Sequence, residues 1–132
     1  MAAKKQILFV DDDELILSCY RRLLARHFTV ETALGPVKAI EALKEGPFAV
    51  VASDLRMPGM SGIELLKKVK IESPETVGIL VTGNGESYDA EVSDHKDLIF
   101  KLLSKPCATV ELISAIEESL EQYRRNTEIK IR

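Results

Sequence analysis

Acidic, hydroxyl and ammonium side chains that could carry phosphoryl chemistry occur at four separate points of the sequence, each at or near the end of an apolar run. In chain order they are Asp11-Asp12-Asp13, Asp54, Thr82 and Lys105. Two carboxylates about 4 Å apart repel each other by about 1 kcal/mol in water and by about 4 kcal/mol at an effective dielectric constant of about 20. If the acids meet in the fold, they therefore require protons or a cation.

Magnesium suits such acids best, because it prefers hard oxygen ligands and readily keeps waters and phosphate oxygens in its octahedral shell. Lys105 adds a fixed positive charge, and Thr82 offers a hydroxyl donor. A phosphoryl group on a carboxylate between them would meet a cation, an ammonium and a hydroxyl. Transfer through a metaphosphate-like transition state needs this positioning and charge neutralisation. The residues therefore predict magnesium-dependent phosphoryl chemistry.

The elements that must position these residues alternate along the chain. Apolar runs predict strands over residues 6–10, 29–32, 49–53, 77–81 and 98–102. Amphipathic segments predict helices over 14–26, 36–44, from a cap at Ser61 to before Pro74, over 86–96, and over 109–125. This alternation predicts a single α/β domain with a doubly wound parallel sheet and helices on both faces. In such sheets, sites form beyond the carboxyl ends of the strands, where the polar residues stand.

The first helix carries more apolar side chains than one face can bury. We expect Ile16, Cys19, Leu23 and Leu24 to face the core, with Leu15, Leu17 and Tyr20 partly off that face. The apolar side chains left outside are either ordinary surface residues or a docking patch for a kinase or phosphotransfer helix bundle.

The composition of the chain argues against several other classes of function. The 132 residues fit one domain, and 45% apolar with 30% charged residues is ordinary for a globular protein. A net charge of −3 and the lack of basic runs argue against direct contact with nucleic acid or anionic membranes. Apolar runs are too short to span a bilayer, and no secretory leader is recognisable. Two distant cysteines predict reduced thiols, so we expect a cytoplasmic protein.

Four motifs resemble the receiver domains of bacterial two-component response regulators, over residues 5 to about 123. They are Ile7-Leu8-Phe9-Val10-Asp11-Asp12-Asp13, Asp54-Leu55-Arg56-Met57-Pro58-Gly59-Met60-Ser61-Gly62, Leu80-Val81-Thr82-Gly83 and Ser104-Lys105-Pro106. One motif would be weak evidence, whereas four in this order and spacing are strong. The resemblance implies a five-stranded sheet in the flavodoxin-like order 2-1-3-4-5.

The resemblance also assigns roles at the acidic end of the site. It implies that Asp54 is the phosphoacceptor, receiving the group from a histidine kinase or phosphotransfer protein. Asp12, Asp54 and the backbone carbonyl of Arg56 would bind Mg²⁺ directly, and Asp11 would act mostly through water.

On the opposite side, the resemblance implies that Thr82 hydrogen-bonds a phosphoryl oxygen and that Lys105 forms an ion pair with the phosphate. It also implies a cis peptide before Pro106. Two positions depart from the family, and at the first of them Leu102 stands where receivers usually carry a switching aromatic residue. At the second, Gly83 replaces the alanine that is common after the threonine. The conformational change that follows phosphorylation is therefore expected to differ from that of other receivers.

A receiver of this kind would catalyse its own phosphorylation and dephosphorylation without being a turnover enzyme. It would act on a downstream effector or a fused output domain, as a monomer or a phosphorylation-dependent dimer. We expect the receiver domain to cover residues 1–125, with 126–132 as a tail or the start of a linker.

Two alternatives remain from the sequence. A phosphatase of the haloacid-dehalogenase type would use Asp11 and Asp13 after the first strand, with Thr82 and Lys105 later. It would need another acidic pair after the lysine and would leave Asp54 without a role. A degenerate receiver that only binds partners is the second alternative, kept open by Leu102.

Overall fold

The computed structural model describes residues 6–83 and 90–131, in which five strands alternate with five helices. The strands are β1 (Ile7–Asp11), β2 (Val30–Leu34), β3 (Val50–Asp54), β4 (Val77–Thr82) and β5 (Lys101–Ser104). The helices are α1 (Glu14–Leu24), α2 (Gly35–Lys44), α3 (Gly62–Glu72), α4 (Ala90–Asp94) and α5 (Thr109–Ile131), with a 3-10 turn at Lys96–Leu98. Residues 84–89, the beginning of the helix predicted over 86–96, lie outside the described residues.

The strands form one parallel sheet in the order β2-β1-β3-β4-β5. This confirms the predicted fold class and strand order. The register pairs Asp54 with Val81 and Thr82 with Ser104, so the carboxyl ends of β3, β4 and β5 are level with one another. The sheet therefore brings the strand-end polar residues to one edge.

Each face of the sheet carries its own apolar cluster. On one face, β1 and β4 residues such as Phe9 and Ile79 pack with residues of α1 and α5 such as Leu24 and Ile116. On the other face, Leu8, Val51 and Leu80 pack with α2, α3 and Val92 of α4. Strands buried on both faces must be apolar throughout, which explains their continuous apolar sequences.

The rotation of α1 about its axis differs from the prediction. Leu17 and Leu24 are buried, whereas Cys19 and Leu23 are exposed. Tyr20 completes the inward face, because its ring stacks on Phe9 with the ring centroids 4.4 Å apart. Apolar residues cover a broad side of this helix, so its sequence pattern alone did not define which part of that side faces the sheet.

Most boundaries agree with the sequence prediction to within two residues, and two described boundaries differ by more. β5 begins three residues later than predicted, because Lys96–Leu98 forms the 3-10 turn and the strand starts at Lys101. α5 continues past Arg125 to Ile131, and the Asn126 amide donates to the carbonyl of Glu75 at 2.9 Å. A domain boundary between residues 125 and 126 stays a prediction. None of the described helices has the length and apolar character that crossing a membrane requires.

Both cysteines are free thiols, but they differ in surroundings. Cys19 is exposed on α1. Cys107 lies between β5 and α5, where its sulfur is 3.6 Å from a carboxylate oxygen of Glu111. Burial, with the Glu111 charge, raises the pKa of the Cys107 thiol to about 11.

Candidate functional site

The three consecutive acids after β1 take different positions. Asp11 is the last residue of the strand and only 2% exposed, whereas Asp12 is exposed. The Asp13 carboxylate caps α1, accepting hydrogen bonds from the N–H groups of Leu15 and Ile16. Asp13 is therefore the N-cap of the helix predicted from residue 14, and this role argues against the Asp11–Asp13 pair that the phosphatase alternative requires.

The acids of β1 and β3 meet at the carboxyl edge of the sheet. One carboxylate oxygen from each of Asp11, Asp12 and Asp54 lies within 4.8 Å of the other two. Asp11 and Asp54 are buried, so their mutual repulsion is poorly screened. Residues far apart in the sequence thus form a compact acidic cluster.

Lys105 is the cation that faces this cluster. Its ammonium nitrogen lies 2.9 Å from Oδ2 of Asp11 and 3.1 Å from Oδ1 of Asp54. The peptide between Lys105 and Pro106 is cis, as the resemblance implied. The backbone N–H of Lys105 donates to the Thr82 carbonyl at 2.7 Å, which ties the lysine to the end of β4.

Burial is the largest influence on the pKa values of the two buried acids and of Lys105. Burial raises the pKa of Asp11, and the Lys105 hydrogen bond offsets only part of that effect. Burial also raises the pKa of Asp54; Lys105 opposes the shift, and the charges of Asp11 and Asp12 add to it. Burial by itself would lower the pKa of Lys105, but the hydrogen bonds that it donates to both carboxylates raise it overall. One ammonium therefore does not neutralise the acids.

The chain leaving Asp54 is held closely against α3. The N–H of Leu55 donates to the Val81 carbonyl at 3.3 Å, and the N–H of Gly62 donates to the Leu55 carbonyl at 2.9 Å. A Cβ at Gly62 would stand 2.3 Å from the carbonyl oxygen of Asp54, so only glycine fits there. The predicted capping box at the start of α3 is confirmed, with Ser61 bonded to the N–H of Glu64 and the Glu64 carboxylate accepting from the N–H of Ser61.

One contact of the site escaped the sequence prediction. The hydroxyl of Ser53, inside β3, donates to the carbonyl oxygen of Asp54 at 2.9 Å. The available signal was a hydroxyl residue at the end of an otherwise apolar run, directly before the acid.

The remaining predicted residues are placed as follows. Thr82 is buried, and its hydroxyl donates to the Leu103 carbonyl at 3.4 Å. Arg56 lies two residues after Asp54 with an exposed side chain. Leu102 is 39% exposed on β5. The phosphoryl contact of Thr82 and the metal contact of the Arg56 carbonyl stay predictions.

The donor set fits a hard divalent cation. Three carboxylates supply oxygen ligands within one ion's reach, and the raised pKa values of Asp11 and Asp54 show that added positive charge would be favourable. Asp11, Asp12 and Asp54 are the residues that could hold such an ion.

Comparison with known proteins agrees with this geometry. A family model of the response regulator receiver domain matches residues 7–117. The chain belongs to the response regulator receiver family. The receiver fold is also found in solved structures, including a response regulator receiver domain protein from Clostridium thermocellum, with a TM-score of 0.83 and 29% identity, covering 90% of this chain and 96% of that one.

Other similar proteins differ in how much of their length the receiver covers. The DNA-binding transcriptional regulator NtrC of Escherichia coli K12 is 34% identical over 116 residues, which are 87% of this chain and 24% of NtrC. A structure described as an adenylate cyclase from Rhodopirellula baltica has a TM-score of 0.89 and 33% identity, covering 97% of this chain and 96% of that chain. The receiver spans about a quarter of the length of the first curated relatives that it matches.

Proposed function

We propose that this receiver accepts a phosphoryl group on Asp54 in a Mg²⁺-dependent reaction and thereby switches the binding of a partner. The observation that carries the proposal is the pair of hydrogen bonds from the Lys105 ammonium to Asp11 and Asp54, beside the cluster of three carboxylates. In this proposal Asp54 is the nucleophile, Lys105 is the fixed cation beside it, and the clustered carboxylates are the metal ligands.

In the proposed step, a carboxylate oxygen of Asp54 forms a bond to phosphorus while the bond between phosphorus and the donor breaks. The leaving atom keeps the electron pair of that bond. It is an imidazole nitrogen if the donor is a phosphohistidine, and the acetate oxygen if the donor is acetyl phosphate. Lys105 supports the ionised form of Asp54 and stays close enough to pair with the transferred group.

The cation site would be formed by Asp11, Asp12 and Asp54, with the backbone carbonyl of Arg56 as a further ligand. When bound, Mg²⁺ would neutralise the acids and the phosphoryl oxygens. Thr82 would exchange its bond to the Leu103 carbonyl for a bond to a phosphoryl oxygen.

The donor is proposed to be a histidine kinase or a histidine phosphotransfer protein in the cytoplasm. The output is proposed to be a downstream effector or a fused domain, since relatives such as NtrC are about four times as long as the matched region. Phosphorylation would act on a monomer or promote a dimer, which light scattering before and after phosphorylation would distinguish.

Incubation with acetyl phosphate and Mg²⁺, followed by intact-protein mass spectrometry, tests the proposal. We expect the mass to increase by one phosphoryl group. No increase is expected when Mg²⁺ is chelated beforehand or in the Asp54→Asn variant. Asp13→Asn is the matched control. Asparagine also caps helices, and Asp13 has no role in the proposed reaction. Phosphorylation of Asp54→Asn, or its absence in Asp13→Asn, would contradict the assignment of Asp54 as the phosphoacceptor. If the wild type gains no phosphoryl group, the result would favour a binding module that is not phosphorylated.

A further inference from the structure

A serine hydroxyl lies within the sheet directly before the proposed phosphoacceptor. Ser53 is fully buried, and its register partners on the neighbouring strands, Val10 and Leu80, are apolar. A hydroxyl in such surroundings is unfavourable unless it finds a hydrogen-bond partner. Its acceptor is the carbonyl oxygen of Asp54, 2.9 Å away.

The peptide units that follow Asp54 are fixed in succession. The peptide between Asp54 and Leu55 is held at its carbonyl by Ser53 and at its N–H by the Val81 carbonyl. The next carbonyl, of Leu55, accepts the N–H of Gly62. Arg56 follows directly, so these three hydrogen bonds fix the path from the Asp54 carboxylate to the Arg56 backbone. Among the three, the Ser53 bond is made by a side chain and can be removed by substitution.

Space around the Asp54 carbonyl is also restricted. The position that a Cβ of Gly62 would take is 2.3 Å from the Asp54 oxygen and 3.1 Å from its carbonyl carbon. The carbonyl therefore occupies space at the start of α3 that only a glycine at position 62 leaves open. A donor that fixes its direction also fixes how the loop leaves the strand.

We propose that Ser53 is a positioning residue of the phosphoryl-acceptor site. Its hydroxyl fixes the Asp54–Leu55 peptide and, through it, directs the Arg56 carbonyl toward the cation site. The inference rests on the proposed function, which makes that carbonyl a metal ligand. Ser53 acts through the backbone and does not itself contact the metal or the phosphoryl group.

Ser119 offers a matched control for a purely structural role. It is also a fully buried serine, and its hydroxyl donates to the carbonyl of Ala115 at 2.8 Å, within α5. Removing either hydroxyl deletes one buried hydrogen bond to a backbone carbonyl. Only the Ser53 bond involves the proposed site. A loss of metal affinity in the Ser53 variant alone would therefore show that Ser53 positions the backbone of that site.

The experiment measures the Mg²⁺ affinity of wild type, Ser53→Ala, Ser53→Cys and Ser119→Ala by isothermal titration calorimetry. The melting temperature of each protein is measured in parallel. Cysteine keeps the packing of serine but is a weak donor, so Ser53→Cys serves if Ser53→Ala fails to fold. We expect both Ser53 variants to bind Mg²⁺ roughly tenfold more weakly, as when an outer-shell partner of a metal ligand is removed. Ser119→Ala should bind like wild type, and Ser53→Thr, which retains the hydroxyl, should restore the affinity.

The outcomes separate the inference from the proposed function. Wild-type Mg²⁺ affinity in a folded Ser53→Cys or Ser53→Ala variant would overturn the role of Ser53 while leaving the metal site intact. Equal losses in the Ser53 and Ser119 variants would also overturn it, because the effect would then be general destabilisation. A wild type that binds no Mg²⁺ and takes up no phosphoryl group would overturn both.

Discussion

The ammonium nitrogen of Lys105 lies 3.1 Å from a carboxylate oxygen of Asp54, although 51 residues separate them in the chain. The same nitrogen bonds Asp11, 94 residues away. Three elements of the fold must therefore be in place before the acids are partly neutralised. The bonds link the carboxyl ends of β1 and β3 to the residue that follows β5.

Replacing Lys105 with methionine should destabilise the metal-free protein, because it leaves two buried carboxylates without their cation. We expect a loss of about 1–3 kcal/mol in the free energy of unfolding, measured by urea titration with a chelator present. Adding Mg²⁺ should recover part of the loss. Lys101→Met is the control, since Lys101 pairs with the exposed Glu118 and its loss should change stability little. Equal effects of the two substitutions would argue against a charged cluster.

Replacing Asp12 with asparagine should stabilise the metal-free protein. The change removes one of three mutually repelling carboxylates while keeping its shape, which should raise the melting temperature by a few degrees. The stabilisation that Mg²⁺ gives the wild type by mass action should shrink in the variant. Thermal melts with and without Mg²⁺ measure both effects, with Asp13→Asn as the control. A clear drop in the metal-free melting temperature of Asp12→Asn would show that the carboxylates do not repel as inferred.

The stability of the metal-free protein should depend on pH through Asp54. Burial raises its pKa above 3.8, so the folded protein keeps this proton at pH values where the unfolded chain has lost it. Ionised Asp54 therefore destabilises the fold above its folded-state pKa, and the penalty disappears as the pH falls through that pKa toward 3.8. Asp54→Asn should be more stable than wild type at neutral pH, with the advantage shrinking in acid. Urea unfolding of both proteins across this range tests it; a pH-independent difference would contradict the raised pKa.

A methyl group at Gly62 should disturb both folding and the site. Its Cβ would lie 2.3 Å from the Asp54 carbonyl oxygen, and relief of that contact should cost about 1–3 kcal/mol. Gly78→Ala is the matched control, because its Cβ would lie 2.7 Å from the Leu98 carbonyl at the opposite end of β4. Both variants should be destabilised, but only Gly62→Ala should also slow phosphorylation by acetyl phosphate. A normal rate in a folded Gly62→Ala protein would contradict the close packing of this loop.

Much of the fold could be predicted, because the buried strands need continuous apolar runs and the helices carry recognisable starts. The cap at Ser61 with Glu64, the proline near the start of α2 and the acids at strand ends are local signals of this kind. Their order along the chain was enough to predict the sheet and the meeting of Asp11, Asp12, Asp54 and Lys105. The structure confirms this convergence, while the chemical roles stay proposals.

Features that depend on tertiary packing could not be predicted. The rotation of α1 follows from Leu17 and Tyr20 packing on the sheet, and several other apolar residues of the helix fit an inward face equally well. The start of β5 at Lys101 follows from the 3-10 turn at Lys96–Leu98, after which the Phe100 N–H donates to the Gly78 carbonyl. The contact of Ser53 depends on the direction of one peptide bond, which residue type does not specify.

The difference between the two thiols gives the chain a natural site for selective labelling. With a pKa of about 11, Cys107 is ionised to only about one part in ten thousand at pH 7, and the thiolate is the form that reacts. Cys19 is exposed on α1, the helix that begins beside the acidic cluster. A maleimide-linked fluorophore should therefore attach mainly at Cys19. Rearrangements of α1 during phosphorylation could then be followed by fluorescence in the wild-type sequence.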